Sequence, residues 1–225
     1  MDTTLQAVKF GYGDAGFRLC IPELTLAAGS RTAFVGPSGS GKTTLLRLLA
    51  GIATPQSGTI QIGQHSLHSL PEGGRRAFRI QHIGFVFQDF RLIDYLDVRE
   101  NLRLPYRLNE ALTLEQDVEE RLETLAETLL LTDKLSAAID TLSHGERQRV
   151  AIGRALLPQP GLILADEPTG NLDPTNKTRI LNLLFEQVEA SGATLVMVTH
   201  DHALLDRFEQ VVDFETFHAR ETADA

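Results

Sequence analysis

The sequence predicts an α/β fold with a mostly parallel sheet core, an antiparallel β subdomain at the N-terminal end and an inserted helical subdomain. Short runs of alternating apolar and polar residues fill 4–62, as in strands joined by turns. Helical periodicity then dominates 89–157. Beyond it, continuous apolar runs flank a helical segment, as in parallel strands covered on both faces. We therefore expect a single domain over 1–225, whose sheet core comprises 1–88 and 158–225 and whose helical subdomain comprises 89–157.

The individual elements follow from local pattern. The helix behind the first apolar strand ends at Gly51, and the last helix of the helical block stops before Pro158. Apolar residues spaced by three and four mark the amphipathic helix within that block. The expected strands are 32–35, 83–88, 162–167, 193–199 and 210–217, and the expected helices are 44–50, 114–129, 146–157 and 176–189.

Composition excludes several classes of partner. The 225 residues carry a formal net charge of −9, which opposes binding to the phosphate backbone of nucleic acid and to anionic membrane surfaces. A single cysteine cannot form an internal disulfide, and this suits the cytoplasm. No apolar run approaches the roughly 20 residues that span a bilayer. We expect neither nucleic-acid binding nor direct membrane insertion.

A glycine-rich loop connects the strand at 32–35 to the helix behind it. Its pattern, G-x-x-x-x-G-K-[ST], lets backbone N–H groups surround phosphates, while Lys42 reaches the outer oxygens and the Thr43 hydroxyl binds Mg²⁺. The positive end of the helix points the same way. The alternative is a glycine-rich turn that binds nothing. The candidate nucleotide-binding residues are Gly36, Pro37, Ser38, Gly39, Ser40, Gly41, Lys42, Thr43 and Thr44.

Two acids close the apolar strand at 162–167. Asp166 is a candidate Mg²⁺ ligand, and Glu167 is a candidate base for the attacking water, because in-line phosphoryl transfer needs neutralised charge and a positioned nucleophile. Pro168 is expected to hold Glu167 in an extended conformation. Alone, such a pair is usually a solvated turn. Together with the phosphate loop it predicts hydrolysis of a nucleoside triphosphate.

The segment Leu142-Ser143-His144-Gly145-Glu146, ahead of a basic helix, resembles the signature motif of ATP-binding cassette (ABC) ATPases. The resemblance implies a phosphate-loop NTPase fold of ABC type that binds ATP and Mg²⁺. It also implies that Ser143, Gly145 and Glu146 meet ATP held by a second copy of the chain. A plain helix cap is the compatible alternative, since Ser143 and Glu146 also form a capping box. His144 and Glu146 replace the family's usual Gly and Gln, and the carboxylate is expected to weaken ATP-driven closure.

Four further positions match the family in order. Gln88 resembles the glutamine that contacts Mg²⁺ and its water, and Asp173 resembles the aspartate that communicates across the dimer. His200 resembles the histidine that touches the γ-phosphate, so the resemblance makes His200 and Gln88 catalytic candidates beside Glu167. Tyr12 resembles the aromatic residue that stacks on adenine; a turn tyrosine without a ligand is the alternative.

Residues 166–173 resemble the form found in ATP-binding subunits of the lipoprotein-release, macrolide-efflux and cell-division group. This implies an integral membrane permease-type partner, and a location on the cytoplasmic face of the inner (plasma) membrane as a peripheral subunit. Residues 89–96 lie where the family receives a helix from that partner, and their apolar side chains either line the groove or pack the helical lobe.

Rival classes differ in what they require. A small-molecule kinase has no use for the Ser143 and Gly145 turn or for His200. A chromosome-maintenance ABC ATPase separates the two halves by a long coiled coil, which the short interval between Lys42 and Asp166 excludes. An ABC ATPase that regulates a membrane-bound signalling or cell-wall complex without transport remains the alternative.

Overall fold

The computed structural model describes residues 1–13, 17–170, 172 and 174–217. Within these residues the strands are β1 (Thr3–Gly11), β2 (Arg18–Leu26), β3 (Arg31–Val35), β4 (Ser57–Ile62), β5 (His65–Ser66), β6 (Ile83–Val86), β7 (Leu162–Asp166), β8 (Thr194–Val198) and β9 (Gln210–Asp213). The α-helices are α1 (Lys42–Leu49), α2 (Glu72–His82), α3 (Val98–Leu108), α4 (Gln116–Thr128), α5 (His144–Leu156) and α6 (Pro174–Ser191).

The strands form two sheets. An antiparallel sheet has the order β2-β1-β4-β5, and a parallel sheet has the order β6-β7-β8-β3-β9. All four strand pairings of the second sheet are parallel. The predicted fold class is therefore confirmed. Because parallel strands end at the same edge, the residues that follow β3, β6, β7 and β8 come together there.

The continuous apolar character of β7 and β8 has a direct structural cause. All residues of both strands are buried, and successive side chains of a strand point to opposite faces. Leu162 and Leu164 of β7 join the core shared with α1 and the antiparallel sheet. Ile163 and Ala165 join the core shared with α3, α4, α5 and α6. The sheet thus separates two hydrophobic cores, and both faces need apolar residues.

Among the described residues, no strand lies between β6 and β7; helices, turns and one isolated bridge between Asp97 and Ala138 fill the interval. The observed α4 and α5 fall within two residues of the predicted helices. Helix α5 packs tightly at Gly153, where an added Cβ would lie 2.7 Å from Leu102 Cδ2 and 2.9 Å from Leu129 Cδ1. This close approach fixes α5 against the rest of the helical region.

Three features differ from the sequence-based expectations. Helix α3 was not among the expected helices, and Pro105 lies inside it. Helix α2 was not predicted, because Gly73 and Gly74 interrupt its pattern and lower helix propensity. The last predicted strand is wrong beyond Asp213: residues Phe214–Phe217 form a 3₁₀ turn. The three-residue spacing places both phenylalanines of that turn in the core, with their rings 5.4 Å apart.

The part of the chain that the structure describes contains no helix with both the length and the apolar character needed to cross a bilayer.

Candidate nucleotide site

The phosphate loop runs from the end of β3 to the start of α1 and is shaped by glycine. Gly36 and Gly41 have φ values of 142° and 100°, which lie in a region that other residues rarely adopt. At Gly41 an added Cβ would also lie 2.5 Å from Phe17 Cζ. Among the described residues no side chain caps the N-terminus of α1. The N–H groups of its first turn are therefore available to an anion.

Lys42 is the first residue of α1, and its side chain is buried in the loop. Its ammonium donates hydrogen bonds to the carbonyl oxygens of Gly36 (2.7 Å) and Pro37 (2.8 Å). Burial lowers the pKa of Lys42, while the nearby charges of Glu167 and Asp166 oppose this shift. A buried cation held mainly by backbone carbonyls matches a phosphate group, which would supply the missing negative charge.

Asp166 is the last residue of β7 and is also buried. Burial raises the pKa of its carboxyl group, and a hydrogen bond from the Thr43 hydroxyl partly opposes that shift. A carboxylate and a hydroxyl side by side are hard oxygen donors, which Mg²⁺ prefers together with phosphate oxygens and water. The residues present therefore fit a Mg²⁺ ion.

Glu167 follows Asp166 with an unusual backbone conformation. Its φ is 46°, so the expectation of an extended residue before Pro168 is wrong. The Glu167 N–H donates to the Val198 carbonyl (3.0 Å), and its own carbonyl accepts from the Gly170 N–H (3.1 Å). Glu167 therefore makes the last hydrogen bond between this segment and β8, and it is also the first residue of the following turn. Such strain is typical of functional positions, where the surroundings fix the conformation.

His200 lies two residues beyond β8 and contacts Glu167 directly. Its Nε2 donates to Glu167 Oε1 over 2.7 Å. The neighbouring Asp201 pairs with Lys177 and accepts a hydrogen bond from the Ala203 N–H, which fixes the chain after His200. The structure thus brings the two residues together from neighbouring strands, with both side chains partly open to solvent.

Lys42, Thr43, Glu167 and His200 line one open cavity of about 370 Å³, whereas the buried Asp166 does not line it. Tyr12 lies at its edge, where its hydroxyl group is 3.4 Å from Thr44 Oγ1. Phe17, which precedes β2, also lines the cavity and was not among the predicted site residues. Phe17 is close to Tyr12 in the chain, and this proximity is the feature of the sequence that could have placed it near the cavity. The lining residues are Tyr12, Phe17, Ser38, Gly39, Gly41, Lys42, Thr43, Thr44, Glu167, Val198 and His200.

Other predicted residues lie elsewhere. Gln88 is exposed, two residues beyond β6, and does not line the cavity. Its strand pairs with β7, so it follows the strand next to the one that carries Asp166. Asp173 lies outside the described residues.

The predicted signature turn, Leu142–Glu146, forms the N-terminus of α5. Ser143 caps the helix in a capping box with Glu146: Oε2 accepts from the Ser143 N–H (2.8 Å) and hydroxyl group (2.7 Å). These bonds lower the pKa of Glu146. Neither this turn nor Gly145 lines the cavity. One chain therefore presents two separate helix N-termini, of which only that of α1 borders the cavity.

The parallel sheet, the phosphate loop and the paired acids at the adjacent strand end define a phosphate-loop nucleoside triphosphatase. Comparison with known proteins is more specific. The family model described as "ABC transporter" matches residues 21–170. The chain belongs to this family of ATP-binding cassettes and is an ATP-binding ATPase. The predicted family is confirmed.

Several relatives match over most of their length. The chain is 40% identical over 190 residues to "Lipoprotein-releasing system ATP-binding protein LolD" of Legionella pneumophila (strain Lens), covering 84% of this chain and 83% of that protein. It is 43% identical over 190 residues to "Uncharacterized ABC transporter ATP-binding protein YbbA" of Escherichia coli (strain K12), covering 84% and 82%.

A solved structure gives a similar result. "Dimeric structure of a post-hydrolysis state of the ATP-binding cassette MJ0796 bound to ADP and Pi" superposes with a TM-score of 0.83 at 31% identity, covering 94% of this chain and 93% of that one.

Proposed function

We propose that this chain hydrolyses ATP as a head-to-tail dimer of two-fold symmetry and thereby does mechanical work on a membrane subunit, in export or mechanotransmission. The observation that carries the proposal is the separation of the two helix N-termini. The cavity is lined by residues of the phosphate loop, Glu167 and His200, whereas the exposed Ser143 lies outside it. A second copy facing the cavity would supply that turn. The dimeric MJ0796 cassette with ADP and Pi supports this arrangement.

Each predicted site residue has a proposed part. Lys42 and the N–H groups of the loop would bind the outer phosphates. Thr43 and Asp166 would hold Mg²⁺, and Gln88, which follows the neighbouring strand, is the proposed further ligand. When bound, the metal neutralises charge on the β- and γ-phosphates. Tyr12 stacks on the adenine ring.

Glu167 is the proposed base for the attacking water, and His200 regulates its availability. In this structure the His200 Nε2–H group occupies Glu167 Oε1. A γ-phosphate oxygen would be a competing acceptor for the same Nε2–H group, because charge-assisted hydrogen bonds to phosphate are strong. Transfer of that hydrogen bond frees Glu167 Oε1 to accept a proton from water. Catalysis therefore begins only once nucleotide is bound.

The Ser143 hydroxyl and the Gly145 N–H complete the site from the second copy, with Glu146 beside them, and Asp173 communicates between the two sites. ATP bridges the copies, so its higher affinity for the closed state supplies the work. Hydrolysis then lets the copies separate. The domain division proposed from sequence, 1–88 with 158–225 and 89–157, assigns the two helix N-termini to different subdomains.

A groove of about 390 Å³ is the proposed docking place for the membrane subunit. Apolar residues of β6 and α3 line it, together with Arg76, Arg79, Arg91 and Arg154. This basic patch is local, since the chain is acidic overall. It fits an amphipathic helix that carries acidic side chains. Of the residues after Gln88, Leu92 packs against the core and Arg91 lines this groove. That the apolar side chains of 89–96 receive the partner's helix stays a prediction.

Such docking would place the chain on the cytoplasmic face of the inner membrane as a peripheral subunit. The relatives named for lipoprotein release favour a partner of that type. Nucleic acid is not a proposed partner, because the net charge of −9 opposes it.

The test is the Glu167→Gln variant, which keeps size and hydrogen bonding but removes the base. We expect it to retain ATP binding, to lose turnover by at least about 100-fold, and to accumulate a dimer with ATP on gel filtration. Glu186→Gln, at an exposed position of α6, is the matched control and should hydrolyse ATP normally. Unimpaired hydrolysis by Glu167→Gln would remove Glu167 from this role.

A further inference from the structure

The turn after β6 contains two consecutive residues with left-handed backbones. Phe90 has a φ of 59° and Arg91 a φ of 52°. This conformation costs free energy for any residue with a Cβ, and it persists only where neighbouring groups hold it. Phe90 lies two residues beyond Gln88. Whatever fixes this turn therefore also restricts the position of Gln88.

Arg154 of α5 provides the first restraint. Its guanidinium donates to the carbonyl oxygens of Arg91 (Nη1, 2.5 Å) and Phe90 (Nη2, 2.6 Å). Burial lowers the pKa of Arg154 to about 10, so the group stays charged at neutral pH. Within the described residues no carboxylate forms an ion pair with it. The two carbonyls are thus the compensation for a buried cation, and they are held firmly.

His144 provides the second restraint, from the opposite end of the same helix. Its ring meets the Phe90 ring edge to face, with centroids 5.7 Å apart and an interplanar angle of 70°. His144 is the first residue of α5 and stands between Ser143 and Gly145. It lies ten residues before Arg154, or about 15 Å along a helix. Phe90 is therefore held by its carbonyl at one end of α5 and by its ring at the other.

We propose that His144 is a positioning residue that connects the N-terminus of α5, through Phe90, to the segment carrying Gln88. This inference rests on the proposed function, in which the Ser143 turn engages ATP bound by the partner copy. Engagement there would be transmitted through His144 and Phe90 to Gln88 in the chain's own cavity. The two sites of the dimer would then be coupled within each chain. A glycine at position 144 would remove the ring contact and leave the Arg154 hydrogen bonds and the backbone hydrogen bonds of the turn itself.

The experiment compares His144→Ala, which removes the ring, with His144→Phe, which keeps an aromatic ring at the same place. For His144→Ala we expect kcat to fall about five- to tenfold with KM within twofold of the wild type, and the Hill coefficient for ATP to fall towards 1. His144→Phe should recover at least half of kcat. Phe90→Ala should reproduce the loss, and the double variant should be no worse than either single variant.

Two results would overturn the inference. One is wild-type kcat and Hill coefficient in His144→Ala. The other is an equal loss in His144→Ala and His144→Phe, which would mean that the imidazole itself contacts nucleotide. ATP-dependent dimer formation is also measured for Glu167→Gln with and without His144→Ala. This measurement distinguishes a failure of the His144 inference from a failure of the proposed function. If Glu167→Gln alone fails to dimerise with ATP, the proposed function fails; if both dimerise, the kinetic comparison decides on His144.

Discussion

Ser143 caps helix α5 and is also proposed to contact ATP bound by the second copy. Substitution to Ala distinguishes these two roles, because the free energies lost with each differ in magnitude. The Ser143 hydroxyl accepts from the Glu146 N–H (3.3 Å) and donates to Glu146 Oε2 (2.7 Å). Loss of a serine cap costs about 1 kcal/mol, which in a domain of this size lowers Tm by about 2–4 °C. Loss of a hydrogen bond to a charged phosphate costs about 1.5–3 kcal/mol, or roughly 10- to 150-fold in affinity for the closed state.

A matched control exists in the same chain. Asp97 caps α3 in an equivalent capping box with Glu100, accepting from the Glu100 N–H over 2.7 Å. Asp97→Ala should therefore cause a similar fall in Tm with little change in ATP hydrolysis. Ser143→Ala should combine that small fall in Tm with a loss of turnover of at least about tenfold.

Calorimetry or dye binding gives Tm, because the chain has no tryptophan to report on unfolding. Steady-state hydrolysis gives the turnover rate. The reasoning is refuted if Ser143→Ala hydrolyses ATP as fast as Asp97→Ala, because the hydroxyl would then be a cap alone. A Tm loss well beyond 10 °C in Ser143→Ala would also contradict it, since about 1 kcal/mol cannot produce such a change.

Three further predictions concern the cap, the sheet and the cavity. Because the folded-state pKa of Glu146 is lowered, Glu146→Gln should lose about 0.5–1 kcal/mol of stability at pH 7. The Tm difference from wild type should shrink as pH falls below the ordinary glutamate pKa of about 4.3, and should vanish only below the lowered folded-state pKa of Glu146. Gly84→Ala should lower Tm, because its Cβ would lie 2.5 Å from the Ala155 carbonyl oxygen. Gly73→Ala should raise the free energy of unfolding by about 0.5–1 kcal/mol, because the added Cβ would meet open space in α2. His200→Ala removes the proposed hydrogen bond to the γ-phosphate, so ATP affinity, measured with a fluorescent nucleotide, and kcat should together fall by the roughly 10- to 150-fold that such a bond is worth; unchanged values of both would contradict its role.

The sequence was sufficient for the fold class and for the position of the phosphate loop. Both depend on local pattern: residues Gly36 to Thr43 carry their geometry in their own identity, and a continuous apolar run such as Leu162–Asp166 indicates a strand buried on both faces. Topology then brings the ends of neighbouring strands together without further information.

What the sequence could not provide depends on tertiary contacts. The φ of 46° at Glu167 results from its hydrogen bond to the Val198 carbonyl, which no local preference reveals, and the local effect of Pro168 favours the opposite conformation. Phe17 enters the cavity because it packs over Gly41, far away in the chain. Helix α2 forms although Gly73 and Gly74 disfavour it, with Phe78 buried in the core and Arg79 donating to the Ala50 carbonyl.

In the proposed mechanism ATP joins two copies, and Ser143 of each contacts nucleotide bound by the other. The most direct measurement is the light-scattering mass of Glu167→Gln with saturating ATP, with and without the added Ser143→Ala substitution. We predict twice the 24.8 kDa chain mass for the single variant. For the double variant we predict the mass of one chain, with ATP still bound at unchanged affinity. A double variant that remains dimeric, or a monomer that loses ATP when Ser143 is substituted, would contradict the account.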